Sequence, residues 1–311
     1  MSKNVLITGG AGFIGSNLSK FLLSNNYNVI CLDNFQTGKK SNIECLLSND
    51  RFKLIEHDIK KSINISEDID YIFNLACPAS PEQYQKNPID TMKTSIFGLY
   101  NTIDIALRNS ALLIHASTSE IYGDPLVHPQ SESYWGNVNT IGIRSCYVEF
   151  KRCCESILSD FYRFKNLKVS IVRIFNTYGP NMDKNDGRVI SNFINNSLNK
   201  FDIQLYGNGE QTRSFCYIDD LIYAFHKLMD IECFGPINIG CPDEISIVDL
   251  AHKIKNILKT ESKIVFKDIK PDDPSKRKPD ISKAISELGW EPKTSLDKGL
   301  KLTIEYFENQ T

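Results

Sequence analysis

Near its start the chain reads Asn4-Val5-Leu6-Ile7-Thr8-Gly9-Gly10-Ala11-Gly12-Phe13-Ile14-Gly15. The apolar residues before Thr8 predict a short buried strand, and the apolar residues from Phe13 onward recur at helical spacing. Glycines stand at every third position from Gly9 to Gly15. Without side chains they let the backbone approach a pyrophosphate, and the amino end of the helix then faces the negative charge. The stretch therefore predicts a strand–turn–helix unit that binds a dinucleotide.

The next strand ends in an acid that fits this prediction. Residues 28–32 form a second apolar run, which is followed directly by Asp33. In dinucleotide-binding folds an acid at this place binds the ribose hydroxyls. A carboxylate would repel a 2′-phosphate, so the sequence favours NAD over NADP. Glycines alone are a weak signal, but strand, glycines, helix, strand and acid in this order are a specific one.

The rest of the first half keeps alternating between strands and helices. Apolar runs at 52–56, 70–75, 111–115 and 167–173 predict strands, and residues 88–107 predict a long helix. Such alternation is typical of βαβ units, so we expect an α/β fold with a Rossmann-type, doubly wound parallel sheet. We predict an NAD-binding domain over residues 1–174. Shorter strands, turns and isolated arginines follow, and predict a smaller C-terminal α/β lobe over residues 175–311 that mainly binds substrate and is interleaved with the first.

Polar residues cluster where the fifth predicted strand ends. The run Ser117-Thr118-Ser119-Glu120 follows it, and ligands of open α/β sheets bind at the carboxyl ends of the strands. Tyr147 and Lys151 lie four residues apart on an amphipathic helix and share one face. An ammonium beside a phenol favours the phenolate, so Tyr147 could act as a general base toward a sugar hydroxyl. A tyrosine packed by a lysine stem would look the same, and only the dinucleotide site upstream makes the pair specific.

Composition excludes several classes of function. The formal net charge of -2 gives no reason to expect nucleic acid or an anionic membrane as a partner. No apolar run approaches the roughly 18 residues of a membrane span, and we expect no targeting peptide. The nine cysteines and five histidines show no metal-ligand spacing, so no metal is predicted. Free thiols in a reducing cytoplasm are the expectation.

Three motifs together resemble the extended short-chain dehydrogenase/reductases that modify nucleotide sugars: the glycine stretch, the run from Ser117 to Gly123, and the Tyr147–Lys151 pair. Within them the chain is most similar to the UDP-glucuronate decarboxylase (UDP-xylose synthase) family, over nearly its whole length. The most specific segments are 122–125, 127–130, 134–136, 144–147, 175–180, Asp272-Asp273-Pro274 and 277–281. Thr140 replaces a usual proline, and Val148 and Phe150 replace a usual acid and glycine. None of these changes removes a chemical group that the reaction needs.

The resemblance implies site residues by position. It assigns catalysis to Tyr147, Lys151, Thr118, Ser119, Glu120 and Arg277. It assigns NAD binding to Gly9, Gly12, Phe13, Ile14, Gly15, Asp33, Asn34, Thr37, Gly38, Asp58, Ile59, Leu75, Thr94, Tyr147 and Lys151. It assigns the nucleotide sugar, UDP-glucuronate, to Lys93, Thr118, Asn176, Arg188, Tyr206, Gln211, Arg213 and Arg277.

Some of these residues have ordinary alternative roles. Asp58 is nearly as well explained as a solvated turn acid, and Lys93 and Thr94 as the solvent face of a helix. Arg188 and Arg213 could hold a diphosphate or form surface ion pairs. The resemblance also implies a homodimer in which residues 88–107 and 147–164 pack against a twofold mate.

The implied chemistry starts at C4 of the sugar. If Tyr147 takes the proton of the 4-hydroxyl while NAD accepts hydride from C4, the product is a 4-keto sugar. In a uronic acid this ketone lies β to the carboxylate, so carbon dioxide leaves readily. The resemblance places Glu120 and Arg277 in the later steps, Arg277 near the uronate and as a possible proton donor at C5. Hydride return then gives UDP-xylose with no net use of NAD.

Other functions share parts of this pattern. A UDP-sugar 4-epimerase shares the first half of the mechanism, nothing in the sequence excludes it, and it is the runner-up. A 4,6-dehydratase usually carries Asp-Glu after the threonine, whereas this chain has Ser119-Glu120. An NAD-binding protein without catalysis would typically lack the tyrosine or the lysine, and both are present.

Overall fold

The computed structural model describes residues 2–231, 233–268, 274 and 276–310 of the chain. The strands are β1 (Asn4–Thr8), β2 (Asn28–Asp33), β3 (Phe52–Glu56), β4 (Tyr71–Asn74), β5 (Leu112–Thr118), β6 (Val169–Ile174), β7 (Thr177–Tyr178), β8 (Ile203–Tyr206), β9 (Thr212–Ser214), β10 (Cys216–Tyr217), β11 (Pro236–Ile239), β12 (Glu244–Ser246), β13 (Ile264–Lys267) and β14 (Lys276–Arg277). The helices are α1 (Phe13–Ser24), α2 (Pro81–Lys86), α3 (Pro88–Asn109), α4 (Ser145–Lys165), α5 (Val189–Leu198), α6 (Ile218–Met229), α7 (Ile247–Leu258), α8 (Ser282–Leu288) and α9 (Leu296–Glu308). A short 3-10 helix (Ser119–Tyr122) follows β5.

A parallel sheet lies at the centre of the described structure. Its strand order is β11-β6-β5-β4-β1-β2-β3, and every neighbouring pair is parallel. The order reverses between β1 and β4, which is where the chain crosses from one side of the sheet to the other. Ligands of such sheets bind outside the carboxyl ends of the strands at this switch point. The predicted Rossmann-type sheet is confirmed.

Alternation along the strands explains the two apolar layers. Successive side chains of a strand point to opposite faces of the sheet. Leu6, Ile72 and Leu113 lie in the layer that α3 and α4 cover. Their neighbours Ile7 and Phe73 lie in the other layer, which α1 and α6 cover. Because both faces are buried, these strands are continuous apolar runs, the pattern expected of a fully covered parallel sheet.

Two elements of the sheet differ from the sequence prediction. β5 extends three residues beyond the predicted His115, because Ser117 and Thr118 still pair with Arg173 and Ile174 of β6. Side-chain polarity ended the apolar run, but backbone pairing does not depend on it. β11 was not identified from the sequence: this short strand returns from the C-terminal half and pairs with β6.

Besides the central sheet, the described residues form three small sheets. One pairs β7 with β10, another joins β13 to β8, and the third has the order β12-β9-β14. In the three-stranded sheet Arg277 is the register partner of Arg213, so two arginines far apart in sequence become neighbours. The division at residue 174 stays a prediction, and β11 shows how closely the two parts are interleaved.

No helix in the described ranges is long and apolar enough to cross a membrane.

We predict that Gly15→Ala destabilises the turn between β1 and α1. An added Cβ would lie 2.3 Å from the Gly9 carbonyl oxygen, a backbone atom that cannot move without opening the turn. Overpacking of this kind costs about 1–3 kcal/mol in the free energy of unfolding, which urea denaturation measures. The matched control is Gly289→Ala, where no atom lies within 4 Å and only the positive φ is strained. A smaller loss for Gly15→Ala than for the control would contradict the steric explanation.

Candidate active site

The turn after β1 has the form that a pyrophosphate needs. Gly9 adopts φ +71°, and a Cβ there would lie 2.9 Å from the backbone of Ala76. The N-cap of α1 is Gly12, no side chain caps the helix, and its first turn carries no acidic residue. The partial positive charge of the helix terminus therefore faces outward uncompensated, which fits the phosphates of a dinucleotide.

Asp33 at the end of β2 is buried beside this turn. Its carboxylate accepts hydrogen bonds from the backbone N–H groups of Ala11 at 2.9 Å and Phe35 at 2.8 Å. Burial raises its pKa above the ordinary value, while these two hydrogen bonds act in the opposite direction. The carboxylate thus ties the glycine turn to the loop after β2, at the place where the sequence predicts the ribose contact.

Tyr147 and Lys151 come together with the end of β5, as their spacing on α4 predicts. Both side chains are buried. Thr118 lines the cleft beside Tyr147 and acts to lower the pKa of its phenol, against the effect of burial. The Lys151 ammonium donates to the carbonyl oxygen of Ala116 at 2.6 Å and lies 5.9 Å from the centre of the Tyr147 ring.

The predicted lowering of the Tyr147 pKa is wrong for this arrangement. Burial raises the pKa of Tyr147 well above its ordinary value, and nearby Cys77 and Glu120 act in the same direction. The Lys151 ammonium bonds to the Ala116 carbonyl oxygen, and its charge does not outweigh the loss of solvation at the phenol. Tyr147 therefore holds its proton in the protein alone.

Glu120 lies at the centre of a small charged cluster. The Tyr84 hydroxyl donates to its Oε2 at 3.3 Å, and Arg144 Nη2 lies 3.6 Å from its Oε1. Arg277 Nη1 approaches the same oxygen to 3.9 Å. Two guanidinium groups thus meet at one carboxylate in a largely buried place.

Tyr84 links this cluster to Tyr147. Its ring stacks on that of Tyr147 with a centroid distance of 4.8 Å and an angle of 2°. Its hydroxyl accepts a hydrogen bond from Arg144 Nε at 2.9 Å. Burial and the neighbouring Glu120 raise the Tyr84 pKa, so the phenol stays protonated.

The sequence analysis did not identify Tyr84 or Arg144 as site residues. Arg144 precedes Tyr147 by three residues, a spacing that places both on one helix face, so the signal was present. No comparable signal exists for Tyr84. It belongs to α2, and only the packing of α2 against α4 brings it to Tyr147.

A cleft of about 670 Å³ joins these groups along the carboxyl edge of the sheet. Most of the predicted site residues line it: Gly9, Gly12, Phe13, Ile14, Gly15, Asp33, Asn34, Thr37, Gly38, Ile59, Leu75, Thr94, Thr118, Ser119, Glu120, Tyr147, Lys151, Asn176, Arg188, Tyr206, Gln211 and Arg213. The cleft runs from the glycine turn past Tyr147 to the C-terminal lobe. Its course matches an extended ligand such as a dinucleotide laid end to end with a nucleotide sugar.

Within the described ranges, three predicted residues do not line the cleft. Lys93 is exposed on α3. Asp58 turns back to Lys60, accepting from its backbone N–H at 3.0 Å. Arg277 is 5% exposed, and its Nη1 lies 3.9 Å from Oε1 of Glu120, which does line the cleft.

The arginines at the far end of the cleft are held by protein groups. Arg188 forms an ion pair with Asp186 at 2.5 Å and stacks on Phe13. Arg213 donates to the carbonyl oxygens of Thr212 and Pro274 at 2.8 and 2.6 Å. Both side chains are therefore oriented in advance rather than mobile.

The departures from the family pattern also have places in the structure. Val148 is buried in the cluster around Tyr84 and Tyr147, Phe150 is half-buried, and Thr140 is exposed. Of the segment Asp272-Asp273-Pro274, the two aspartates lie outside the described residues.

Comparison with known proteins agrees with this architecture. Residues 6–303 match the family model described as GDP-mannose 4,6 dehydratase. A UDP-glucuronic acid decarboxylase of Arabidopsis thaliana, number 6, is 49% identical over 304 residues, which cover 97% of this chain and 88% of the relative.

Solved structures show the same fold. The UDP-glucose 4-epimerase of Thermotoga maritima, solved with UDP-glucose, superposes with a TM-score of 0.92 at 32% identity and 99% coverage of both chains. The UDP-glucuronic acid 4-epimerase of Bacillus cereus, in complex with UDP-glucuronic acid and NAD, gives a TM-score of 0.90 at 28% identity, with 99% of this chain and 100% of that chain covered.

The glycine turn, the sheet and the Tyr147–Lys151 pair together define an extended short-chain dehydrogenase/reductase. Within that class the chain belongs to the family of the UDP-glucuronic acid decarboxylases.

We predict that Asp33→Asn weakens NAD binding. The amide keeps the volume but loses the charge and one acceptor that the ribose hydroxyls and two backbone N–H groups need. The dissociation constant, measured by titration calorimetry, should rise at least about tenfold, equivalent to about 1.4 kcal/mol. Asp58→Asn is the matched control, since Asp58 lies outside the cleft, and it should change the constant by less than about threefold. Equal effects of the two variants would contradict a specific role of Asp33.

Proposed function

We propose that this protein is an NAD-dependent UDP-glucuronate decarboxylase that forms UDP-xylose through a UDP-4-keto intermediate. The observation that carries the proposal is that two guanidinium groups, those of Arg144 and of the buried Arg277, meet at the Glu120 carboxylate, which lines the cleft. Guanidinium groups bind carboxylates through charge-assisted hydrogen bonds, and a uronic acid supplies such a carboxylate. The names of the relatives and the uronate-bound neighbour support the same substrate.

The first step is the oxidation of C4. NAD, when bound along the glycine turn, supplies the acceptor for the hydride of C4 and later returns it. Tyr147 releases its proton to solvent more readily beside the positive charge of oxidised NAD, and the phenolate then takes the 4-hydroxyl proton. Thr118, which lines the cleft beside it, orients that hydroxyl. Lys151 holds the ammonium charge close to the phenol and stabilises the phenolate once the proton has moved. The buried site excludes water while the keto sugar exists.

Loss of carbon dioxide follows from the position of the ketone. The bond between C5 and the carboxylate breaks, and its electron pair delocalises into the C4 ketone as an enolate. Glu120 lines the cleft and Arg277 approaches its carboxylate, so we assign this pair to the carboxylate end of the sugar. Arg277 orients the carboxylate, and a proton delivered to C5 restores the ketone. Return of the hydride to C4 then completes the pentose.

The nucleotide end of the substrate is assigned to the C-terminal part of the cleft. Arg188 and Arg213 are placed for the diphosphate, because both are oriented by protein partners and line the cleft. Asn176, Tyr206 and Gln211 line the same region and supply hydrogen bonds and a ring face. We also assign Arg277, which pairs with Glu120, to substrate binding. The structure offers no support for such a role of Lys93.

We also propose a homodimer in a cytoplasmic setting. α3 and α4 pack side by side and carry exposed apolar side chains, among them Ile89, Phe97 and Phe164. A twofold mate would bury them in a four-helix arrangement, and sedimentation equilibrium would show a monomer mass if this is wrong. All nine cysteines are free, which fits a reducing compartment.

The function is tested by incubating the purified protein with UDP-glucuronate and NAD. We expect one carbon dioxide per substrate and a product with the mass and NMR spectrum of UDP-xylose. A product of unchanged mass with inverted C4 would make the protein a UDP-glucuronate 4-epimerase, the activity named for the Bacillus cereus neighbour. No reaction with any UDP-sugar would overturn the proposal altogether.

We predict that Tyr147→Phe abolishes oxidation at C4 while leaving NAD bound. The ring that stacks on Tyr84 remains, and only the proton acceptor is lost. Turnover should fall by about 100-fold or more, the range that general-base catalysis contributes. The measurement is single-turnover formation of reduced nicotinamide by absorbance, with NAD affinity as the control. Oxidation at the wild-type rate in this variant would remove Tyr147 from the role of base.

A further inference from the structure

A chain of buried polar side chains connects the two elements that carry Glu120 and Arg277. Glu120 lies on the 3-10 helix after β5, and Tyr122 stands two residues further on the same turn. Arg277 lies on β14, and Asp280 follows it by three residues. Asn238 of β11 lies between them, contacts both sides, and is fully buried.

The Asn238 amide bonds to the two segments through different atoms. The Tyr122 hydroxyl donates to Asn238 Oδ1 at 2.8 Å. Asn238 Nδ2 donates to the carbonyl oxygens of Gln130 at 3.0 Å and Asp280 at 3.1 Å. One amide thus uses its acceptor on the side of Glu120 and its two donors on the side of Arg277.

Arg173 determines the orientation of the amide. Its Nη1 donates to the Tyr122 oxygen at 2.9 Å, and a guanidinium can only donate. The single proton of Tyr122 is therefore directed to Asn238, which must present its oxygen. Burial raises the pKa of Tyr122 to about 12, so the hydroxyl keeps this proton at neutral pH. The amide nitrogen then faces the segment after Arg277.

Gln130 completes the connection on the side of Arg277. This fully buried residue exchanges backbone hydrogen bonds with Lys278 at 2.9 Å and with Asp280 at 2.8 Å, and its side-chain oxygen accepts from the Lys278 N–H at 2.9 Å. The residues immediately after Arg277 are thereby fixed to Asn238, while β9 holds β14 on its other side.

We propose that Asn238 is a positioning residue that sets the spacing between Glu120 and Arg277 and so controls the steps after C4 oxidation. This inference rests on the proposed function. Asn238 does not line the cleft, whereas Tyr147, the glycine turn and Asp33 are held by other contacts. Weakening the connection should therefore leave the oxidation of C4 intact and slow the conversion of the keto sugar to the pentose.

The test uses two variants of different severity. Tyr122→Phe removes one hydroxyl and keeps the ring that packs against Phe175 and Tyr134, so it preserves the fold best. Asn238→Ala removes the whole amide. Tyr71→Phe is the matched control, because its largely buried hydroxyl accepts from Lys3 at the opposite end of the sheet. Arg277→Ala serves as the reference, because it shows the product ratio when the Arg277 side chain is absent.

Each protein is given NAD and UDP-glucuronate, and the ratio of released UDP-4-keto sugars, with and without the carboxylate, to UDP-xylose is measured by mass. For Tyr122→Phe and Asn238→Ala we expect this ratio to rise at least about tenfold, toward that of Arg277→Ala, while single-turnover oxidation and NAD affinity stay within about twofold of wild type. Tyr71→Phe should match the wild type in every readout.

Two results would overturn the inference. One is an unchanged product ratio in both variants. The other is an equal fall of NAD affinity, oxidation and later steps, which would indicate general structural damage instead. If the wild-type protein itself releases no carbon dioxide, the proposed function fails. If the wild-type protein releases carbon dioxide and the two variants give the same product ratio as the wild type, only this inference fails.

Discussion

The ion pair between Arg173 of β6 and Glu155 of α4 supports the whole catalytic edge of the sheet. It is bidentate, with distances of 3.1 and 2.8 Å, and both side chains are largely buried. Glu155 also accepts a hydrogen bond from Ser117 at 2.5 Å, and Arg173 extends to Tyr122. Loss of one partner of such a pair costs about 3–5 kcal/mol, because an uncompensated charge stays buried. The pair therefore locks α4, which carries the tyrosine and lysine, to β6, and the Ser117 hydrogen bond ties the same helix to β5, which carries the threonine.

The cleft depends on a second set of contacts, between its two walls. Lys39 in the loop after β2 forms an ion pair with Asp183 at 2.9 Å, and Asn17 of α1 donates to the carbonyl oxygen of Pro180 at 2.9 Å. These contacts connect the dinucleotide side to the C-terminal part, although the ion pair is half-exposed and contributes only about 0–1 kcal/mol. These contacts therefore orient the two walls of the cleft more than they stabilise the protein. The buried polar groups hold the interior together.

Charge is distributed along the cleft in a way that matches a long, multiply charged ligand. The uncapped amino end of α1 lies at one end, and Arg188 and Arg213 lie toward the other. Between them, Glu120 tempers the charge of Arg144 and Arg277. The protein therefore places positively charged groups at separate points along the cleft, and burial raises the pKa of Tyr147 between them.

Much of the fold and of the site could be predicted from residue patterns because they depend on local spacing. Local spacing along a helix or strand is enough to place three features: the glycines of the first turn, the acid at the end of β2 and the Tyr147–Lys151 pair. Boundaries were less accurate, as with β5, because strand pairing continues past the end of an apolar run. The pKa of Tyr147 was predicted in the wrong direction, since burial depends on every element packed around the phenol.

By itself the sequence determined the parallel sheet, the dinucleotide turn and the helix face that carries the tyrosine and lysine, because periodicity and adjacency are properties of the chain. Only the tertiary structure decided that Tyr84 stacks on Tyr147, that Arg144 and Arg277 meet at Glu120, and that Asn238 lies between Tyr122 and Asp280. These residues come from elements far apart along the chain. Their contacts arise from the packing of helices and strands, so no local sequence pattern predicts them.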